Sequence, residues 1–331
     1  MTRQARWIGL ALLVFLLMLA GCAMPDHAGS SSGVESLPAI QPVEHAAGEK
    51  IRVVATTSIL GDVVSNVAGD AADLTVLIPP GQDPHSYQLT ARQQAAVENA
   101  DLIFVNGFDL EESLLSTLEA TATGPIVPVS AGIEPRQLQA GEVEPGHQPG
   151  GADPHVWMNV QNVMVWTQNI AKVLAQADPA QADTYASHAD AYHQQLSALN
   201  DDIHQQVEGI PADQRKLVTD HDSLGYFADA YGFQIVGAVI PGFSTTAGAN
   251  AGELARLIQT INDAGVSTIF IGTTSGDQIR RLVQAITTDS GRDIQVLTLY
   301  SGSLGATGTP ADTYVGMMRF DTQQIISGLS P

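Results

Sequence analysis

The sequence predicts an α/β protein of two parallel-sheet lobes joined by one long rigid connector helix, and three observations carry that expectation. From residue 51 onward, short β-type runs alternate with helix-type segments, the rhythm of parallel sheets covered on both faces. Residues 178–208 contain no Gly and a single Pro at their start, and carry Tyr185, Tyr192, Leu196, Leu199 and Ile203 at spacings of seven, four, three and four. The alternation then begins again at Lys216.

In order, Ile51 to Thr56 is a β-type run, and Ile59 to Val67 is helix-like, with apolar residues at mixed three and four spacings. A second strand, Leu74 to Ile78, stops at Pro79-Pro80-Gly81. Thr90 caps a helix over Ala91 to Asn99, then Leu102 to Val105 and Ile126 to Val129 follow as strands, and Asn159 caps a further helix. A connector helix of some 30 residues would extend about 45 Å, too stiff to serve as a hinge loop. Lys216 to Thr219 is a strand ending at the charged Asp220. Ile235 to Val239, Thr268 to Ile271 and Val296 to Leu299 complete the second set, with helices at Glu253 to Ala264 and Gln278 to Thr287.

The predicted segments are therefore an export signal at 1–21, a flexible tether at 22–50, a first lobe at 51–177, the connector at 178–209 and a second lobe at 210–331. Arg3 and Arg6 precede an apolar run from Trp7 to Gly21, shorter than the roughly 18 residues of a spanning helix. Cys22, the only cysteine, follows Leu19-Ala20-Gly21, which resembles a bacterial lipobox and implies acylation of Cys22. Residues 23–49 are rich in Gly, Ser, Pro and Ala without periodicity, hence the tether. About 280 residues remain for the body, enough for a core in each lobe.

The chain has 14 basic and 35 acidic residues; loss of Arg3 and Arg6 with the signal leaves 12 basic against the same 35 acidic. Such an acidic chain is a poor partner for nucleic acid. A lone cysteine excludes an internal disulfide.

Asp-Pro-His occurs twice, at Asp83-Pro84-His85 and Asp153-Pro154-His155, and a third histidine opens His221-Asp222-Ser223, one residue past the inferred strand of the second lobe. Proline fixes its own φ and restricts the residue before it, so each triplet presents an imidazole from stiff backbone, as a preorganised ligand requires. Asp83 or Asp153 can orient a ring or satisfy backbone donors. The histidine spacings of 70 and 66 residues match no short metal motif. His188, His193 and His204 lie along the connector without a chelating spacing of three or four and read as helix surface. His27 and His45 fall in the tether, and His147 in the Gly/Pro-rich stretch before His155, where a loop at 136–152 would suit a gate.

On four pieces the chain resembles the zinc- and manganese-binding solute-binding lipoproteins of bacterial ABC importers: Pro79 to Tyr87, Asp153 to Met158, His221 to Phe227 with Tyr231-Gly232, and Asp312 to Arg319. The resemblance covers residue 51 to the end. It implies two α/β lobes on one long helix, with His85 and His155 as metal ligands from the first lobe and His221 from the second. It further implies capture of a divalent transition metal, Zn2+ before Mn2+, and delivery to an ABC importer permease by a monomer held outside the cytoplasm, at the cell surface or in the periplasm, by its lipid anchor. The chain departs from the family at Gly302, in Tyr300-Ser301-Gly302-Ser303, where an aspartate ligand is typical, and at Gly272, where many relatives carry glutamate. Asp222, His147 or water would then complete the shell, or the site would take something other than a bare four-coordinate ion. Two other readings stand beside the carrier: a zinc hydrolase using three histidines and an open water position, and an adhesin on the same scaffold.

Overall fold

The computed structural model describes residues 34–46, 48–137 and 151–330; the expected signal segment, Cys22, His27 and His147 lie outside these residues. The first sheet takes β1 (Ile51–Ala55), β2 (Ala72–Val76), β3 (Leu102–Val105) and β4 (Ile126–Pro128) in the order β2-β1-β3-β4, all parallel. The second takes β5 (Lys216–His221), β6 (Gln234–Ile240), β7 (Thr268–Gly272) and β8 (Gln295–Leu299) in the order β6-β5-β7-β8, again all parallel. In each sheet the strand order reverses beside the first strand, and in open α/β sheets that switch point opens a crevice at the carboxyl ends.

The helices of the first lobe are α1 (Ser58–Ala68), α2 (Ala91–Glu98), α3 (Glu112–Thr121) and α4 (Val160–Ala177). The expected caps form: the Thr90 hydroxyl accepts from the Gln93 amide in a capping box, and the Asn159 side chain accepts from the Gln161 amide at 2.9 Å. The second lobe has α6 (Gly225–Tyr231), α7 (Ala251–Ala264), α8 (Asp277–Asp289) and α9 (Tyr314–Leu329). Between the lobes runs α5 (Ala182–Val207), 26 residues and so about 39 Å long. Its apolar stripe, Tyr185, Tyr192, Leu196, Leu199 and Ile203, is buried, as the spacing required.

α5 packs against α1 and α4 on one side and α6 and α9 on the other. The largest hydrophobic core consequently includes Val63, Trp166 and Leu196 together with Phe227, Phe270, Met317 and Met318, so both lobes draw on one interior. Separate cores lie on the outer face of each sheet, around Ile103 and Leu114 in the first and Ile261 and Ile286 in the second.

Two expectations change. β5 continues through Asp220 to His221, because the Asp220 carboxylate has internal donors and need not reach water. Residues 34–46, expected within the flexible tether, instead lie against the first lobe: Leu37 and Val43 pack on the core, Ile40 is buried, and the Val43 amide donates to Ala177 O at 2.8 Å. Leu37, Ile40 and Val43 recur every third residue, a period that neither helix nor strand templates detect. Glu35, at the start of this segment, accepts from the Phe108 amide at 3.0 Å and so pins a turn in which Phe108 and Asp109 take positive φ of 50° and 59°.

Candidate metal centre

The two Asp-Pro-His triplets form the same local turn. Each aspartate Oδ1 accepts the amide of the histidine two residues on, at 3.0 Å in both cases, which presents the imidazole from a closed Asx-type loop. They then diverge. Asp153 Oδ1 also lies 2.9 Å from His155 Nδ1, whereas among the described residues no carboxylate meets Nδ1 of His85. His221, at the carboxyl end of β5, has its own carboxylate one residue back: Asp220 Oδ1 accepts the His221 amide at 2.8 Å and lies 2.9 Å from Nδ1. Asp220 Oδ2 in turn accepts from the Gly272 amide at 2.8 Å and from the Ser275 hydroxyl.

A carboxylate on Nδ1 leaves Nε2 as the free ring nitrogen, and the three Nε2 atoms converge. His155 is central, its Nε2 3.3 Å from that of His85 and 3.2 Å from that of His221. Among the described residues these three are the one group of metal-ligating side chains with all donor atoms within 4.8 Å. The two separations made by His155 match those of neighbouring nitrogens on a tetrahedral zinc ion, for which bonds of about 2.0–2.1 Å place them about 3.3 Å apart. His85, His155 and His221 are 9 %, 1 % and 4 % exposed, so an ion here would be largely dehydrated by the protein.

Electrostatics divide the three rings. Burial, then the charges of its neighbouring histidines, holds His85 well below the ordinary imidazole range, and burial followed by His221 does the same to His155. Burial also opposes charge on His221, but the Asp220 carboxylate outweighs it and raises His221. Asp220 is lowered to about 2 despite its burial, by the charge and hydrogen bond of His221 and by Ser275 and Gly272. The cluster therefore carries one favoured proton, on His221, rather than three equivalent rings.

Among the described residues the remaining sequence candidates do not join the cluster. Asp222 Oδ2 accepts from the Gly242 amide at 2.7 Å. A Cβ on Gly272 would sit 3.0 Å from Ser301 Oγ and 3.2 Å from Asp220 Oδ2, so a larger side chain there would displace the carboxylate that holds His221. A Cβ on Gly302 would meet Thr274 Oγ1 at 3.4 Å and Pro84 Cδ at 3.8 Å, ordinary contacts beside the His85 turn. His188 Nδ1 faces Val67 O at 3.2 Å and the His204 ring stacks edge-on to Tyr231, both away from the site. His193 also stays on the connector, and His45 lies on the segment packed against the first lobe.

Sequence reasoning missed the groups that hold the histidine loops in place. The indole of Trp157 donates to Ser301 O across the cleft at 3.0 Å, with its ring edge-on to His155. Tyr226 donates to Asp153 O at 3.0 Å, while Arg136 pairs with Asp229 at 3.0 Å and approaches Asp153 Oδ2 at 3.9 Å. Below the site, Asn106 Nδ2 donates to Pro154 O at 2.9 Å, and buried Glu111 accepts from Thr56 Oγ1 at 2.5 Å and the Asn106 amide at 2.7 Å. Burial pushes Glu111 up to about 7. No sequence signal marks Glu111, since its helix offers no periodicity that distinguishes a buried acid from a surface one.

Comparison with known proteins bears on the family and the fold. The family model described as zinc-uptake complex component A, periplasmic, matches residues 53–328. The manganese-binding lipoprotein MntA of Halalkalibacterium halodurans is 33 % identical over 319 residues, 96 % of this chain and 97 % of the relative. The iron ABC transporter substrate-binding lipoprotein MtsA of Streptococcus pyogenes is 30 % identical over 335 residues, 99 % of each chain. The solved structure of the periplasmic zinc-binding protein TroA from Treponema pallidum superposes with a TM-score of 0.75 at 29 % identity, covering 86 % of this chain and all of that one.

Proposed function

We propose that this chain, which belongs to the family of periplasmic zinc-uptake complex component A, captures zinc between its lobes through His85, His155 and His221 and passes it to an ABC importer permease. The observation that carries the reading is the convergence of three imidazole Nε2 atoms, two of them held by carboxylates on Nδ1. Relatives are named for manganese, iron and zinc, so family membership supports a transition-metal substrate of an ABC importer, held outside the cytoplasm on a lipid anchor. The choice of zinc rests on donor chemistry: three neutral imidazoles suit zinc, whereas manganese prefers oxygen ligands. Among the described residues no helix is long and apolar enough to cross a membrane. A family of uptake-complex components gives no support to the hydrolase reading.

Competitive titration of the signal-free protein tests the metal. One zinc per chain is expected, bound at least about a hundredfold more tightly than manganese, since both ligand softness and the Irving–Williams order favour zinc. Equal or stronger manganese binding would reject the assignment of zinc while leaving the family intact.

Repeating the zinc titration across pH tests the split among the rings. Because His221 is raised and His85 and His155 are lowered, zinc displaces one proton where His221 is charged. Affinity should be flat above the raised value of His221 and fall about tenfold per pH unit below it. A fall steepening toward about a thousandfold per unit by about a unit below about 6.5 would instead indicate three ordinary, independent histidines.

A further inference from the structure

The loop joining β6 to α7, residues 241–250, reaches across the cleft to the first lobe. Its root is tied to the His221 turn: the Asp222 amide donates to Gly242 O at 3.0 Å, and the Gly242 amide donates to Asp222 Oδ2 at 2.7 Å. Gly242 takes φ 109°, a conformation that side-chain-bearing residues rarely adopt, which turns the loop toward the other lobe. Three residues later the Thr245 hydroxyl donates to Asp83 Oδ2 at 2.6 Å. Asp83 is the carboxylate whose other oxygen holds the His85 amide at 3.0 Å, and Ser86 Oγ donates to it at 3.1 Å.

His85 depends on this turn more than its partners depend on theirs. The rings of His155 and His221 are each fixed from behind by a carboxylate on Nδ1, whereas among the described residues no carboxylate meets the ring of His85, which follows its backbone turn. We infer that Thr245 is a positioning residue, an interlobe clasp that grips Asp83, holds the His85 turn against the other two histidines and thereby sets how long a bound metal stays. The inference rests on the metal-carrier reading of the three histidines. With the lobes sharing one core through α5, a local clasp over the His85 turn can gate the site without wholesale lobe separation. A hydrogen bond to a charged acceptor that exists in the closed state and is broken on opening acts on release rather than on uptake.

The test compares Thr245→Val and Thr245→Ser with the parent, using zinc alone. Release into a chromophoric chelator is followed by stopped flow, and amide exchange at His85 is followed in the metal-free protein. Thr245→Val, which keeps the shape and removes the donor, should release zinc about ten- to a hundredfold faster, with uptake within about twofold of the parent. The His85 amide should exchange faster in the same variant, and Thr245→Ser should restore both values. Release within about twofold of the parent overturns the clasp, whether or not exchange at His85 quickens. A parent chain that takes up no zinc overturns the carrier reading itself, and with it the role in residence time, while exchange at His85 still reports whether Thr245 holds the turn.

Discussion

Replacing His155 by alanine should lower zinc affinity by more than about a hundredfold, since loss of a direct ligand should exceed the 10–100-fold typical of losing a group that only orients one. His155 is chosen because its Nε2 touches both other rings, so its loss leaves His85 and His221 without the nitrogen that spans them. The fold should survive the change. Asp153 keeps the amide at position 155 through its Oδ1, the approach of Arg136, and the Tyr226 bond to its carbonyl. His221→Ala is a less clean probe, because it strips fully buried Asp220 of its charged partner and should destabilise the chain as well. Competition against a chelating indicator, with circular dichroism as the folding control, gives the answer. A loss of less than about fivefold would remove His155 from the ligand set, whatever the family does elsewhere.

Asp321→Asn should stabilise the metal-free protein at pH 8 far more than at pH 5. Asp321 lies fully buried on α9; its Oδ1 accepts from the Tyr300 amide at 2.8 Å, and its Oδ2 has no partner among the described residues. Burial therefore raises its pKa to about 8. A carboxyl whose folded value exceeds its unfolded value of about 4 binds its proton more tightly when folded, so its contribution to stability is present at low pH and is lost as pH rises through the folded value. The full span has an upper bound on the order of 5 kcal/mol at about 1.4 kcal/mol per pH unit. Asparagine keeps the acceptor for Tyr300 and never ionises, so the pH 8 advantage should be several kcal/mol, shrinking as pH falls toward about 4. Urea unfolding of parent and variant at both pH values reads the difference. Equal effects at pH 5 and pH 8 would mean that Asp321 is ionised in the folded chain throughout.

The loop that Asp321 anchors shows why some of the site was legible and some was not. Tyr300 to Leu304 follows β8 as a loop after a strand, the kind of place where the alternation of strands and helices directs attention. Its departure at Gly302 was also plain from the residues. What the loop does was not legible: Ser303 Oγ accepts the Gly81 amide at 2.8 Å and Ser301 O accepts the Trp157 indole, partners 222 and 144 residues away. A hydroxyl carries no periodicity, and nothing local says which distant amide it will meet.

By itself the sequence determined the α/β rhythm, the buried stripe of α5, the helix caps at Thr90 and Asn159, and the two Asp-Pro-His histidines, His85 and His155, as loop residues of stiff backbone. These follow from local physics: side-chain period, φ restriction by proline and the reach of a short polar side chain to its own backbone. Only the tertiary structure decided that imidazoles 70 and 66 residues apart share one point, that Asp220 is an interior strand residue, and that Asp220 raises one ring while burial lowers the other two. The physical reason is common to all three. Charge in a dehydrated interior is governed by whichever groups the fold brings within a few ångströms, and that proximity is created by strand order and by the shared core around α5 rather than by spacing along the chain.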